Sequence, residues 1–372
     1  MRILVLVTRY PRPHSKGDQQ RAFSWICELA KRHDVCVVTS APAPGDELLP
    51  RSVEVISAPG GVAARAGSAL AGRITGAPLQ VGWMMPRAAW RAALRAMADV
   101  DVVLAMTTRS LRGPVSRPLV LDHVDALSLN MQRRSRGDES LLIRAFARSE
   151  AARFRAWERR CAQWSTAALA TAAEDAAALP PRPAVEVIPV GLDRADPAWV
   201  TSQDRPIDVV LTGNMRYPPN RRAALMLDRE ILPALRAGPS DVRVVVAGRG
   251  ADGLRLRHAE VMSDVPDMFA VLRAAKIAIV PLELGTGSPY KVLEAAACGA
   301  AIVSSPWAAA RFGLAAQTAD NAEGYSRAIL QLLSDPGRRA ALVEQSQVAV
   351  AEHRTEVLAR RVEKLLSASA AG

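Results

Sequence analysis

The chain has 372 residues, 49% hydrophobic and 23% charged, with 25 Pro and 23 Gly; the length is more than one hydrophobic core supports, and the composition excludes a disordered or fibrous chain. Basic residues exceed acidic ones by eleven charges, which suits an anionic ligand or membrane surface without choosing between them. Aromatics are 4% and no interleaved basic and aromatic stripe appears, so nucleic acid is not an expected partner. Cys27, Cys36, Cys161 and Cys298 stand singly, with no CxxC pair and no histidine at ligand spacing. That argues against a zinc site or a disulfide framework and fits reduced thiols in the cytoplasm.

In chain order, the apolar run at 3–7 is too short for the apolar region of a signal peptide and reads as a buried strand. Short strand-like runs follow at 34–39, 52–56, 102–105, 119–121, 167–170 and 185–188, with helical periodicity at 19–31, 88–98 and 141–164. In the last of these, Phe146, Phe154, Trp157, Cys161 and Trp164 recur at three- and four-residue spacing, and Arg144, Arg148, Arg155 and Arg159 fall on another face. The pattern reads as a core stripe with a solvated Arg face, the alternative being a patch for anionic lipid headgroups. A Pro-, Asp- and Gly-rich stretch at 188–206 without helical period reads as a linker. Beyond it come strand-like runs at 208–211, 242–247, 277–280 and 301–304 and helical stretches at 221–237, 290–298 and 320–334. Helical period returns from 336 to 367, and the final SASAAG reads as a frayed tail.

This alternation predicts an α/β protein of two doubly wound domains, 1–192 and 193–350, with 351–372 as a helix and tail. The expected ligand site is at the carboxyl ends of the strands, in the cleft between the domains. No run approaches the roughly 20 apolar residues of a spanning helix, so any membrane contact is expected to be peripheral.

The stretch VPLELGTGSPYKVLEAAACGAAIVSS, residues 280–305, carries the most chemistry. A strand ends at Pro281, a glycine-bearing loop follows, and a helix opens near Ser288 and Pro289. Gly285 and Gly287 let the backbone approach a ligand, the helix start attracts an anion, and Lys291 adds a point charge. Glu294 is an acceptor-only carboxylate suited to a diol such as the ribose hydroxyls. Taken alone, the same residues also describe an ordinary strand-to-helix turn.

The wording of this segment resembles the donor-binding signature of the GT4 family of retaining glycosyltransferases, which have the GT-B fold. VVLTGNMRYPPNRRAALMLDREILPALRAG resembles the opening strand, phosphate loop and first helix of that family's second domain, in the style of sugar transferases from bacterial exopolysaccharide clusters. VEVIPVGLD resembles the entry to the linker, and LDHVDALSLNM the first-domain strand end that faces the cleft. The resemblance spans residues 1 to about 334.

It implies two Rossmann-like domains facing across a cleft, and transfer of a sugar from a nucleoside-diphosphate donor to an acceptor hydroxyl with retention. The implied setting is polysaccharide, glycolipid or secondary-metabolite biosynthesis. On the donor side it implies Gly213, Asn214, Arg216 and Arg221, with Arg222, around the diphosphate, and Met262 and Ser263 near the base. Gly285, Thr286, Gly287, Ser288, Lys291 and Glu294 are implied around the phosphates, sugar and ribose, and Gly17 beside the reacting sugar in a loop shared with His14 and Lys16. At the first-domain strand end it implies His123 at the sugar, with Asp122 or Asp125 orienting it or acting as the base.

Three departures stand out. The family more often has Arg directly after the phosphate-loop Gly and Lys about five residues later, where this chain has Asn214 and then Pro219 or Asn220. Thr286 occupies the usual first glutamate position, with Glu283 a substitute if the loop folds back, and Pro289 lacks the N–H that a Gly would offer. With no Asp-x-Asp at a strand end, no metal and no cofactor beyond the donor substrate are expected. The acceptor is expected to be lipid-linked or a small molecule, and the protein cytoplasmic or peripheral at the inner membrane face. Alternatives are a sugar-nucleotide epimerase or hydrolase, and a degenerate relative that holds a nucleotide or polyanion without turnover.

Overall fold

The structure is a computed structural model that describes residues 1–13, 17–43, 48–137, 140–194, 205–236, 242–282, 290–310 and 312–372. It divides into two units, one of Met1–Gly191 with Thr355–Gly372 and one of Leu192–Arg354.

In the first unit the strands β1 (Arg2–Val7), β2 (Asp34–Thr39), β3 (Glu54–Ser57), β4 (Val102–Met106), β5 (Leu119–Asp122), β6 (Ala167–Ala170) and β7 (Val185–Val187) form one parallel sheet in the order β3-β2-β1-β4-β5-β6-β7. Its helices are α1 (Gly17–Leu29), α2 (Val62–Ile74), α3 (Leu79–Met84), α4 (Arg87–Ala96), α5 (Leu127–Arg136), α6 (Leu141–Trp164) and α7 (Ala173–Ala178). The period of two along β1 sends Ile3, Val5 and Val7 to one face and Leu4 and Leu6 to the other, and both faces are core. Strand order reverses between β1 and β4, which places a switch point at their carboxyl ends.

The second unit repeats the plan with β8 (Ile207–Thr212), β9 (Val244–Gly248), β10 (Glu260–Ser263), β11 (Ala275–Val280), β12 (Ala301–Ser304) and β13 (Ala316–Thr318), ordered β10-β9-β8-β11-β12-β13. Its helices are α8 (Pro218–Met226), α9 (Leu232–Arg236), α10 (Met268–Arg273), α11 (Tyr290–Ala297), α12 (Pro306–Ala310), α13 (Ala322–Ser334) and α14 (Pro336–Glu352). Here the reversal falls between β8 and β11, and every strand pair is parallel.

Several elements differ from the sequence reading. The edge strands β10 and β13 were not expected, because EVMS and AQT are short, mixed and partly exposed. The helix expected at 221–237 is interrupted by a π-turn at Leu227–Ile231. The single helical stretch expected at 336–367 breaks at His353 and Arg354, after which α15 (Thr355–Ala371) belongs to the first unit. The expected frayed tail is instead the end of that helix, and Leu358, Ala359, Val362 and Leu366 are buried on the face that also packs α1. Gly191 is required where the chain leaves the first unit: a Cβ there would lie 2.5 Å from Thr355 Oγ1 and 2.8 Å from Thr355 Cα.

Candidate functional site

At the switch point of the second unit, β8 runs into Gly213, whose φ of +153° is a glycine conformation. A Cβ at Gly213 would lie 2.8 Å from Asn220 Nδ2 and 3.1 Å from Lys291 Nζ; one at Gly248, φ +140°, would lie 2.0 Å from Gly213 O. The two glycines therefore let the ends of β8 and β9 pass in contact and leave bare backbone beside an ammonium group. Asn220 ties the arrangement together. Its Nδ2 donates to Asn214 O at 3.0 Å, and its Oδ1 accepts from Lys291 Nζ at 2.7 Å. Asn214 Oδ1 accepts from Arg216 N at 3.1 Å, which shapes the turn into α8. Asn220 is thus a neutral amide that holds the lysine of another helix.

Lys291 and Glu294 lie three residues apart on α11, so they share a face. Burial pushes the Lys291 ammonium down to about 8, against the pull of Glu294. It pushes Glu294 up to about 7, opposed by Lys291 and assisted by Asp193. Both departures are chiefly desolvation effects, each opposed by the other group's charge. Arg222 lines a cavity of about 490 Å³ with Pro219, Met226, Arg229, Pro281 and Leu282 among its described walls. Arg216 and Arg221 are exposed, and the Arg216 side chain packs on Gly250, φ +72°.

Met262 and Ser263 end β10; Met262 packs against the unit's core, and the Ser263 hydroxyl lies 3.0 Å from Asp252 Oδ1 and 2.9 Å from Asp264 Oδ2. Glu283, Gly285, Thr286, Gly287, Ser288 and Pro289 lie outside the described residues, as do His14 and Lys16. Gly17 opens α1, and a Cβ there would meet nothing within 4 Å, so no described neighbour requires glycine at that position.

In the first unit β5 delivers Asp122, His123 and Asp125 to the carboxyl edge of the sheet, and the three prove unlike. Asp122 is wholly buried: its Oδ2 accepts from Arg21 Nε at 2.7 Å and Trp25 Nε1 at 3.1 Å, its Oδ1 from Val124 N at 3.0 Å. This corrects the expectation that Asp122 is a catalytic candidate, because both oxygens are committed to holding the strand end. Arg21 in turn donates to Pro189 O at 2.8 Å. His123 is buried and held neutral, its pKa pushed down to about 4 by desolvation against the pull of Asp122, and its Nδ1 has no partner among the described residues.

Asp125 is only partly buried, and its carboxyl is pushed up to about 6 by burial and by Asp175, with Arg109 opposing. Val124, between the two, has φ +63°, and Thr107 on the adjacent strand end has φ +66°. Non-glycine residues in this region mark an over-determined turn of the kind found at functional sites. Thr107 Oγ1, Thr108 Oγ1 and Arg109 Nε are buried at the end of β4 without a partner among the described residues. The sequence reading did not single out Arg21, Arg109, Asn220 as a tether, or Gly248. Of these only Gly248 carries a local signal, a glycine directly after the VVVA strand.

Comparison with known proteins bears on both units. The lipopolysaccharide glycosyltransferase WaaG is similar in structure, with a TM-score of 0.67 at 15% identity over 99% of this chain and 100% of that one. Sucrose-phosphate synthase from Thermosynechococcus elongatus gives 0.66 at 15% identity over 99% and 98%. HepE from Anabaena, solved with UDP and glucose, gives 0.63 at 15% identity over 99% and 100%. The chain has the GT-B fold, two Rossmann-like α/β domains. Residues 206–335, most of the second unit, match the family model of glycosyl transferases group 1. No curated protein sequence matches it.

Proposed function

We propose that the chain transfers a sugar from a nucleoside-diphosphate donor to an acceptor hydroxyl, with retention and without a metal, as its resemblance to the GT4 family implies. The observation that carries this reading is the Gly213, Asn220 and Lys291 arrangement: bare backbone at a switch point, beside an ammonium that a neutral amide positions without neutralising. When the bond from the anomeric carbon to the phosphate oxygen breaks, its electron pair stays on the departing diphosphate. Lys291, cationic at neutral pH, stabilises that charge, and Arg222 and the start of α11 add to the field. Glu294 takes the ribose diol. The acceptor oxygen bonds to the anomeric carbon and gives up its proton, for which Asp125 is the base in this reading, while Asp122 and Arg21 act as positioning residues. The cations named here supply the charge compensation.

The test is calorimetric titration of UDP, GDP, ADP and dTDP in the presence of EDTA, then incubation with the matching sugar nucleotides and assignment of the product anomer by NMR. Lys291→Ala is expected to weaken the preferred diphosphate about tenfold or more, the loss of one charge-assisted hydrogen bond. Failure of every diphosphate to bind, or an inverted anomer, removes the reading. Tight binding with no turnover on any acceptor supports a binding protein of the same fold.

A further inference from the structure

Helix α6 has 24 residues, about 36 Å at the usual rise, and only its later part is covered. Ala147, Glu150, Phe154, Trp157 and Cys161 form a buried stripe. The sequence reading placed Phe146 in that stripe. The structure leaves it 45% exposed, with Leu141 at 79%, Leu142 at 84% and Ile143 at 40%. Four large apolar side chains thus occupy the first two turns with no core to enter. Isolated exposed apolar residues are ordinary, but a contiguous group of this size marks an interaction surface.

The surroundings say what the surface meets. Segment 127–164 contains nine arginines and four acids, and two of the acids, Glu150 and Glu158, are buried inward. Arg144 lies among the apolar residues and donates to Ser135 O of α5 at 3.2 Å; Arg148 is one turn further on, and Arg136 stands in the last turn of α5. Ile74, 88% exposed, ends α2, and its neighbour Arg73 lies 3.5 Å from Glu150 Oε1, so α2 ends alongside the same helix. Among the described residues no helix is long and apolar enough to cross a membrane.

We propose that this end of α6, with the last turn of α5, docks on an anionic phospholipid bilayer. Leu141, Leu142, Ile143 and Phe146 enter the interface between headgroups and acyl chains, and Arg136, Arg144 and Arg148 engage lipid phosphates. Apolar insertion framed by guanidinium groups is the pattern that binds anionic bilayers, since the two contributions add. A second copy of the chain is the poorer occupant, because it would bring one arginine ring against another. The inference does not depend on the donor or the reaction.

The full chain is sedimented with vesicles of phosphatidylcholine alone and of equimolar phosphatidylcholine and phosphatidylglycerol. Binding is expected to the mixed vesicles, weakly or not at all to phosphatidylcholine, and to decline with salt. Leu142→Ser with Ile143→Ser is expected to lower partitioning at least about tenfold. Arg144→Ala with Arg148→Ala is expected to lower it on mixed vesicles, and melting is expected to stay unchanged because these side chains lie outside the core. Absence of wild-type binding, or variants that bind as wild type does, overturns the proposal. So does an ultracentrifugation result in which the serine variant converts a dimer to a monomer, which assigns the face to a second copy.

Discussion

Lys291 and Glu294 share one face of α11, and desolvation moves each toward its neutral form. Affinity for the proposed diphosphate ligand is therefore expected to fall as pH rises: Glu294 gains a negative charge near about 7, and Lys291 loses its positive charge near about 8. A bound diphosphate restores the lysine's preference for its proton, so binding near pH 8 takes up a fraction of a proton. Calorimetry in two buffers of different ionisation enthalpy measures that uptake, and Lys291→Arg should abolish it. Asp122 and Asp125, at and just beyond the end of β5, have opposite effects on stability. Asp122→Asn leaves Arg21 buried without its counter-charge and should cost about 3–5 kcal/mol in urea unfolding. Asp125 has a folded pKa raised to about 6 from 3.8. Its ionised form is therefore disfavoured by folding, fully above about 6 and not at all once both states are protonated. Asp125→Asn should gain about 1–2 kcal/mol at neutral pH, lose that gain as pH falls through 6 toward 4, and lose turnover. That three polar residues follow an apolar strand was plain in the sequence. Which of them is committed was not, because Arg21 and Trp25 arrive from about a hundred residues away.

At the scale of elements, the departures from expectation share a cause. β10 and β13 lie at sheet edges, where one side of the backbone goes unpaired and the side chains need not be apolar, so their sequences show no strand pattern. The break between α14 and α15 has no proline or glycine to announce it: His353 and Arg354 end one helix, and Thr355 starts the next. What makes α15 part of the first unit is its stripe of Leu358, Val362 and Leu366 against the face of α1. Leu366→Ala should cost about 2–4 kcal/mol by urea unfolding of the first unit. An effect below about 1 kcal/mol would show that the helix end frays as its polar, alanine-rich composition suggests. Gly248→Ala tests the other crowded junction. With a Cβ 2.0 Å from Gly213 O, β8 and β9 must part, and diphosphate binding should be lost with the stability.

The whole molecule is two units with separate cores, each large enough to unfold cooperatively. Scanning calorimetry should resolve two transitions, with the diphosphate preferred in titration raising only the transition of the second unit, by about 2.7 kcal/mol at a concentration one hundred times Kd. A single transition shifted as one would show that the units unfold together. The α/β class, two doubly wound halves, the first strand of each and the glycine that follows β8 were legible in the sequence, because strand burial, helix period and backbone freedom are local properties of a chain. Three features were settled only by tertiary structure. Asn220 bridges to Lys291, Asp122 is consumed by Arg21, and Phe146 belongs to no core. Each depends on which distant segment comes to lie beside a residue, and period and composition hold no record of that partner.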